Sequence, residues 1–189
     1  MDTKNIMIVG VGGQGTLLTS RVLGGIIQAG GYDVKLSEVH GMAQRGGSVV
    51  TFVRYGDKVY EPIVEEGQAD VLIAFEKLEA MRYAHFLKKD GVLIVNDQQM
   101  DPMTVVTGVA QYPEHILETL SESHKVVSID AMAEAKKLGN ARVFNTIIIG
   151  VAAKSMDFSE KEWLDVIANV VPPKTVEINQ KAFKVGFAG

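Results

Sequence analysis

The sequence predicts an α/β fold: a three-layer, Rossmann-like wound sheet that is mostly parallel but contains an antiparallel hairpin, so that the sheet is mixed. Three observations support this prediction. A short apolar run at residues 6–9 leads through a glycine-rich turn into an apolar helical pattern, the usual opening of a parallel α/β sheet. Further apolar strands alternate with helical segments along the chain. Residues 48–61 depart from this order, because apolar and polar residues alternate there around a Gly-Asp turn, which predicts the hairpin.

The elements of the first half follow from the spacing of the apolar residues. Residues 5–9 are short and apolar and predict a buried strand, and residues 16–29 carry the broad apolar face of a helix. A second strand is predicted at residues 32–39. The hairpin then consists of a strand at 48–55 and a return strand at 58–61, joined by a Gly-Asp turn.

In the second half, strands and helices alternate before the chain becomes mostly helical. The patterns predict strands at 70–75, 92–95 and 125–129, and helices at 77–87, 112–120 and 146–154. A last segment, around residues 175–185, is expected to pack back on the sheet. Because no linker, internal repeat or low-complexity stretch interrupts the 189 residues, we expect a single domain over residues 1–189.

Polar residues mark where several helices begin. Asn145 is expected to cap the helix that follows it, since its side chain can accept a free backbone N–H. Ser159 and Glu162 have the spacing of a capping box, with Phe158 and Trp163 placed as the accompanying hydrophobic staple.

Acidic residues follow four predicted strands, where they would line the carboxyl edge of the sheet. Glu76 and Asp130 are interpreted as helix caps. The roles of Glu38 and Asp97 stay open at this point.

Composition excludes several functional classes. A formal net charge of −4 disfavours nucleic-acid binding, which requires a basic surface. The absence of cysteine excludes disulfides and thiolate ligation of iron–sulfur clusters by this chain. The four histidines are too dispersed to predict a metal site. No signal sequence is recognised, and the longest apolar stretch is shorter than the roughly 20 residues of a membrane span, so a cytoplasmic protein is expected.

The first glycine-rich loop lies between the first predicted strand and helix. Gly10, Gly12 and Gly15 fit the G-x-G-x-x-G pattern, whose backbone N–H groups and helix N-terminus can hold an anion. Glu38 follows at about the distance of an acid that binds a ribose, which would suit a dinucleotide. Alternatively, the glycines only permit a tight turn and close helix packing. Gln14 adds a polar side chain within the turn.

The second glycine-rich loop, residues 40–48, carries more chemistry than a chain reversal needs. Arg45 offers a planar set of donors suited to a carboxylate or phosphate. The glycines allow close backbone approach, and Ser48 adds a hydroxyl. We interpret both loops as binding rather than catalytic elements, and no catalytic or metal-ligating residue is predicted. The predicted binding residues are Gly12, Gly13, Gln14, Gly15, Glu38, His40, Gly41, Gln44, Arg45, Gly46, Gly47 and Ser48.

The two loops together carry a family resemblance. The Gly-Gly-Gln-Gly turn and the run Ser-Glu-Val-His-Gly-Met-Ala-Gln-Arg-Gly-Gly-Ser at 37–48 resemble the gamma-type module of 2-oxoacid:ferredoxin oxidoreductases. The second run is most similar to the small (beta) subunit of the indolepyruvate ferredoxin oxidoreductases. The resemblance continues through residues 69–82 to the Pro-Pro-Lys near the C-terminus, so it covers nearly the whole chain.

The resemblance implies a function as an accessory subunit. The family's reaction is the oxidative decarboxylation of a 2-oxoacid to an acyl-CoA with reduction of ferredoxin. Thiamine diphosphate, iron–sulfur clusters and coenzyme A are expected in the complex, but none bound by this chain alone. A large thiamine- and iron–sulfur-containing subunit is the expected partner, with ferredoxin reached through the complex. The isolated chain is expected to be inactive and is a candidate homodimer.

Two alternatives remain open from the sequence. One is a gamma subunit of a pyruvate or 2-oxoglutarate ferredoxin oxidoreductase. The other is a free-standing NAD(P)-binding oxidoreductase, which the first loop and Glu38 would suit.

Overall fold

A six-stranded mixed sheet forms the centre of the computed structural model, which describes residues 2–41 and 46–189. The strand order is β2-β3-β1-β4-β5-β6. Strands β1, β4, β5 and β6 run parallel, whereas β3 is antiparallel to both β1 and β2. The predicted mixed α/β fold is therefore confirmed. The strands are β1 (Lys4–Val11), β2 (Asp33–His40), β3 (Ser48–Gly56), β4 (Ala69–Ala74), β5 (Leu87–Asn96) and β6 (Lys125–Ile129).

Helices cover both faces of this sheet. Helices α1 and α6 lie directly on one face, with α5, α7 and α8 packed outside them, and α2 and α4 lie on the other face. The helices are α1 (Thr16–Ala29), α2 (Lys77–Tyr83), α3 (Met103–Val106), α4 (Ile116–Ser121), α5 (Ala131–Lys137), α6 (Phe144–Ala153), α7 (Glu160–Val170) and α8 (Val176–Ala188).

The central strand β1 shows why the sheet is buried on both faces. Ile6 and Ile8 belong to the core cluster under α1 and α6, whereas Met7 and Val9 belong to the cluster under α2 and α4. All four side chains are at most 2% exposed. Successive side chains of a strand point to opposite faces, so an uninterrupted apolar run suits a strand with helices on both sides.

The antiparallel hairpin is present but differs from the prediction in its members. Residues 58–61 form no strand, so the predicted return strand is wrong. Instead β3 pairs with β2 from Asp33↔Gly56 to His40↔Val49, and with β1 along its other edge. The second glycine loop is therefore the connection of this hairpin. The sequence does not reveal this, because β2 alternates like any strand and carries no mark of its partner.

Most predicted helix starts are confirmed by capping contacts. Ser159 and Glu162 form both hydrogen bonds of the capping box of α7, and the rings of Phe158 and Trp163 pack edge to face at 6.1 Å. Glu76 caps α2 by accepting from the Glu79 N–H (3.0 Å). Asp130 caps α5 in the same way, since its side chain accepts from the Ala133 N–H at 2.8 Å, and this predicted cap is also confirmed.

Several predicted boundaries shift in the structure. The predicted helix at 77–87 ends at Tyr83 and passes through a short 3-10 turn into β5, which begins earlier than predicted. Helix α4 begins at Ile116, after His115 in a left-handed conformation (φ 55°). Asn145 is not the cap of α6, because the helix already begins at Phe144 after a 3-10 turn.

The C-terminal segment does not pack on the sheet as predicted. It forms α8, which packs chiefly against α6 on the outside of the helical layer. Gly150 of α6 and Gly186 of α8 face each other's helix backbone. A Cβ on Gly186 would lie 1.9 Å from the Ile147 carbonyl oxygen, so the close approach depends on the missing side chain.

Candidate functional site

The two predicted glycine-rich loops lie in contact at the carboxyl edge of the sheet. The first loop follows β1 and the second follows β2. The backbone N–H of Gly12 donates a hydrogen bond to the carbonyl oxygen of Gly47 at 2.9 Å. Strand β3 makes this contact possible, since it returns from the second loop directly beside β1.

A cleft of about 390 Å³ opens between the first loop and the end of β2, and we call it the glycine cleft. One wall is the first loop with the start of α1, and the opposite wall is the end of β2. It is lined by Gly12, Gly13, Gly15, Thr16, Leu17, Glu38, His40 and Val49. Of the predicted binding residues, the structure thus brings Gly12, Gly13, Gly15, Glu38 and His40 together.

The loop wall of the glycine cleft is suited to an anion. Gly15 is the N-cap of α1 (φ +88°), so no side chain caps this end of the helix, and its first turn contains no acidic residue. The first N–H groups of a helix have no acceptor within the helix, and the helix dipole adds partial positive charge. Gly13 (φ +101°) has open space where a side chain would project, so a ligand can approach the backbone there.

The strand wall of the cleft carries a carboxylate. Glu38 accepts a hydrogen bond from the Thr51 hydroxyl (3.2 Å), and His40 Nδ1 lies 3.9 Å from its other oxygen. The Glu38 side chain is 29% exposed, and that of His40 is 65% exposed. Glu38 therefore remains accessible to a hydrogen-bond donor, on the wall of the cleft opposite the start of α1.

Gln14, a predicted binding residue, has its side chain turned away from the glycine cleft. Its Oε1 accepts from the Val11 N–H (2.7 Å), and its Nε2 donates to the Phe75 carbonyl oxygen (3.1 Å). Asn96 donates to the same carbonyl oxygen at 3.1 Å. These amides, together with Gln98, fill the crevice between the ends of β1 and β4. In open α/β sheets, ligands bind beside neighbouring strands whose following helices lie on opposite faces of the sheet. Strands β1 and β4 are such a pair here, but side chains occupy the crevice between their ends.

Ser48 and Gly46 lie on the other face of the sheet from the glycine cleft. The Ser48 hydroxyl donates to the buried carboxylate of Glu79 at 2.5 Å and lies 3.3 Å from the Tyr83 hydroxyl. Glu79 also accepts from Arg82 (3.1 Å). These contacts fasten the beginning of β3 to α2. Gly46 lines a small cavity of about 100 Å³ beside them.

The remaining predicted residues are only partly covered by the structure. Gly41 is exposed at the end of β2. Gln44 and Arg45 lie outside the described residues, so their roles stay predictions from the sequence.

Three residues near the site were missed by the sequence reasoning. Thr51 reaches Glu38 through the register of β2 and β3, which only strand pairing reveals. Leu17 is 50% exposed in the cleft wall, although it belongs to residues 16–29, whose pattern predicts a helix with a broad apolar face. Asn145 lies against Gly15 across a long separation in sequence, and no local pattern marks this contact.

A buried carboxylate stabilises the neighbouring part of the same edge. Glu76 is 1% exposed, accepts from the Met100 N–H (3.1 Å) and receives a short hydrogen bond from the Tyr112 hydroxyl. Burial, and next this hydrogen bond, raise the pKa of Tyr112 above the ordinary value of a tyrosine. The folded protein therefore favours the neutral phenol.

We expect Tyr112 to make the free energy of unfolding fall as the pH rises into the alkaline range. The hydroxyl is neutral in both states below the unfolded pKa of about 10, so its contribution is complete there and is lost as pH rises further. Tyr112→Phe should lower the free energy of unfolding by about 1–2 kcal/mol at pH 8. The difference from wild type should shrink above pH ~10 in urea unfolding experiments.

Tyr60→Phe is the control for this experiment, because Tyr60 is 83% exposed. Its stability should follow that of the wild type at every pH. A Tyr112→Phe difference that stays constant or grows with pH would contradict the proposed hydrogen bond.

Clusters of metal-ligating side chains and long apolar helices are both absent from the part of the chain that the structure describes. No group of three or more His, Asp or Glu residues there is arranged to hold a metal ion. No helix among those residues is long and apolar enough to cross a membrane.

A mixed six-stranded α/β sheet with helices on both faces and a glycine-rich turn between β1 and α1 defines a Rossmann-like α/β protein. Comparison with known proteins identifies the family within this class. The Pyruvate ferredoxin/flavodoxin oxidoreductase family matches residues 5–189. The chain therefore belongs to the pyruvate ferredoxin/flavodoxin oxidoreductase family.

Individual relatives agree with this assignment. The chain is 41% identical over 197 residues to the indolepyruvate oxidoreductase subunit IorB of Thermococcus kodakarensis, covering 98% of this chain and 95% of the relative. It is 42% identical over 192 residues to the subunit IorB of Pyrococcus horikoshii, again covering 98% and 95%. The keto/oxoacid ferredoxin oxidoreductase gamma subunit from Geobacter sulfurreducens PCA superposes with a TM-score of 0.71 at 24% identity, over 98% of this chain and 96% of that chain. The predicted resemblance is confirmed.

Proposed function

We propose that this chain is the accessory small subunit of a thiamine-diphosphate-dependent 2-oxoacid:ferredoxin oxidoreductase that acts on indolepyruvate or a related arylpyruvate. The observation that carries the proposal is the 41% identity to an indolepyruvate oxidoreductase subunit over 98% of this chain. In the proposed reaction, the 2-oxoacid and coenzyme A yield an acyl-CoA and carbon dioxide, and the electrons pass to ferredoxin.

The redox and thiamine centres are proposed to belong to a large partner subunit. This chain has no cysteine, so it offers no thiolate ligands for an iron–sulfur cluster. Its Gly56-Asp57-Lys58 lacks the second glycine of a thiamine diphosphate motif and lies at the end of β3. These residues fit neither group, and no catalytic step is assigned to them.

The contribution of this chain is proposed to be the glycine cleft at the subunit interface. The cleft offers an anion-binding wall at the start of α1 and a carboxylate, Glu38, on the opposite wall. A ligand with an anionic group and a separate hydrogen-bond donor suits this arrangement. Both coenzyme A and an arylpyruvate with an indole N–H have these features. Arg45, from the second loop, is proposed to complete the anion site.

Co-purification from the native source tests the proposed function directly. We expect a large subunit with iron–sulfur absorbance to accompany this chain, and the complex to reduce a dye when an arylpyruvate and coenzyme A are both present. Pyruvate and 2-oxoglutarate serve as comparison substrates, and a preference for either would favour the alternative gamma-subunit function. A chain that purifies without any such partner would contradict the proposal.

Arg45→Ala in the reconstituted complex tests the anion site. Since a hydrogen bond to a charged group contributes about 1.5–3 kcal/mol, we expect KM for coenzyme A or for the 2-oxoacid to rise about tenfold or more. Arg142→Ala, on an exposed residue outside the glycine cleft, is the matched control and should leave both KM values unchanged. Unchanged kinetics for both substrates in Arg45→Ala would contradict a role for this residue in binding.

A free-standing NAD(P) site is disfavoured by the strand order. Strand β3 lies between β1 and β2, so Glu38 is two strands away from the first loop, roughly 10 Å instead of about 5 Å. The Gly12 N–H is already bonded to Gly47. Titration of the isolated chain with NAD(H) and NADP(H) is expected to show no micromolar binding.

A further inference from the structure

The side-chain amide of Asn145 lies against Gly15, one of the residues that line the glycine cleft. Asn145, in the first turn of α6, is 7% exposed. Its Nδ2 lies 2.5 Å from the position that a Cβ on Gly15 would occupy. The residues that the structure describes give this amino group no hydrogen-bond acceptor. Gly15 is the N-cap of α1, so the free donor stands at the helix end that forms the anion-binding wall.

The orientation of the Asn145 amide is fixed by its other end. Its Oδ1 accepts from the backbone N–H of Thr146 (2.8 Å). A backbone N–H can only donate, so the atom facing it must be the oxygen, and the amino group must face Gly15. Exchanging the two ends would set donor against donor.

The surroundings of this amino group favour negative charge. Helices α1 and α6 both begin here, because Asn145 in the first turn of α6 contacts the N-cap of α1. Neither helix has an acidic residue in its first turn. The partial positive charges of both helix N-termini therefore act on the same place. A donor that has no protein acceptor in such a field is suited to bond an anionic oxygen.

We propose that Asn145 is a ligand-binding residue that extends the glycine cleft across Gly15, its amide donating a hydrogen bond to an anionic phosphate or carboxylate oxygen held at the N-terminus of α1. This assignment rests on the proposed function for the identity of the ligand, which is either the phosphates of coenzyme A or the carboxylate of the 2-oxoacid. The sequence gives no sign of it, because Asn145 belongs to neither glycine loop.

The test uses the full chain, labelled with ¹⁵N, and two probes: inorganic pyrophosphate and indolepyruvate. We expect the side-chain amide signals of Asn145 and the backbone amide signals of Gly13, Gly15 and Thr16 to shift together along one saturable curve. A response to pyrophosphate alone assigns the site to phosphate, and a response to indolepyruvate alone assigns it to a carboxylate. This measurement on the wild type needs no variant.

Asn145→Asp replaces the donor by a charged oxygen while keeping the oxygen that accepts from Thr146. It should weaken binding of the responding probe by about tenfold or more, since a hydrogen bond to an anion is lost and a repulsion added. Asn140→Asp is the matched control, because it adds the same charge at a half-buried 3-10 cap, where a carboxylate can also accept the bond from the Arg142 N–H. It should bind as the wild type does.

Two results would overturn the assignment: Asn145 amide signals that do not respond to either probe, or Asn145→Asp binding within about twofold of the wild type. Neither result would bear on the proposed function, which stands or falls with the co-purified partner and its 2-oxoacid-dependent activity. Conversely, a chain without such a partner that still binds pyrophosphate through Asn145 would leave this site assigned and contradict the proposed function.

Discussion

Gly186→Ala is expected to destabilise the protein by at least about 3 kcal/mol, at or above the upper end of what overpacking usually costs. The added Cβ would lie 1.9 Å from the Ile147 carbonyl oxygen and 2.9 Å from its carbonyl carbon. These are backbone atoms of α6 and have no rotamer through which to move away, so the two helices must separate. For a chain of this length, the loss corresponds to a fall in Tm of roughly 6–12 °C in thermal unfolding.

Gly24→Ala is the matched control, since Gly24 is also a buried glycine within a helix. Its Cβ would meet only the Leu36 Cδ1 at 3.2 Å, and Leu36 is 43% exposed and free to turn. The gain in helix propensity is up to about 1 kcal/mol, so stability should remain within about 1 kcal/mol of the wild type. If Gly186→Ala were as stable as Gly24→Ala, α6 and α8 would not pack as the structure shows.

Gln14→Leu is expected to lower the free energy of unfolding by about 3 kcal/mol. The substitution keeps the approximate volume of the side chain but removes the acceptor of the Val11 N–H and the donor to Phe75. The Phe75 carbonyl oxygen retains the bond from Asn96, so the larger part of the loss comes from the orphaned N–H of Val11. Urea unfolding followed by circular dichroism measures the change.

Gln99→Leu is the control for this substitution on the same edge of the sheet. Gln99 is exposed, and among the described residues its side chain bonds to the exposed Asp101, so its replacement should change stability by no more than about 0.5 kcal/mol. The comparison also separates two roles for Gln14. A variant with unchanged stability but weakened ligand binding would restore the sequence-based prediction that Gln14 is a binding residue.

Gln14 and Ser48 show where sequence reasoning about the site reaches its limit. Both were identified correctly as polar residues of two neighbouring loops, but both side chains turn to the protein itself. A loop motif specifies a backbone shape and not the direction of each side chain. The direction depends on which carbonyl or carboxylate the tertiary structure sets nearby, here Phe75 and Glu79.

The sequence by itself determined the local elements. The apolar run of β1, the turn with glycine at positive φ, the capping box of α7 and the family resemblance all depend on residues within a few positions of one another. Capping hydrogen bonds act between residues in the same turn of a helix, and apolar periodicity is read over one helix or strand, so both are local.

Tertiary structure alone decided the arrangement of these elements. Three features join residues that are distant in sequence: β3 lies between β1 and β2, α8 packs on α6, and Asn145 contacts Gly15. Strand pairing and helix contact depend on which surfaces fit together after collapse, and a period of two or of 3.6 residues is the same for many partners. The glycine cleft exists because of that long-range choice, since only β3 brings the two loops together.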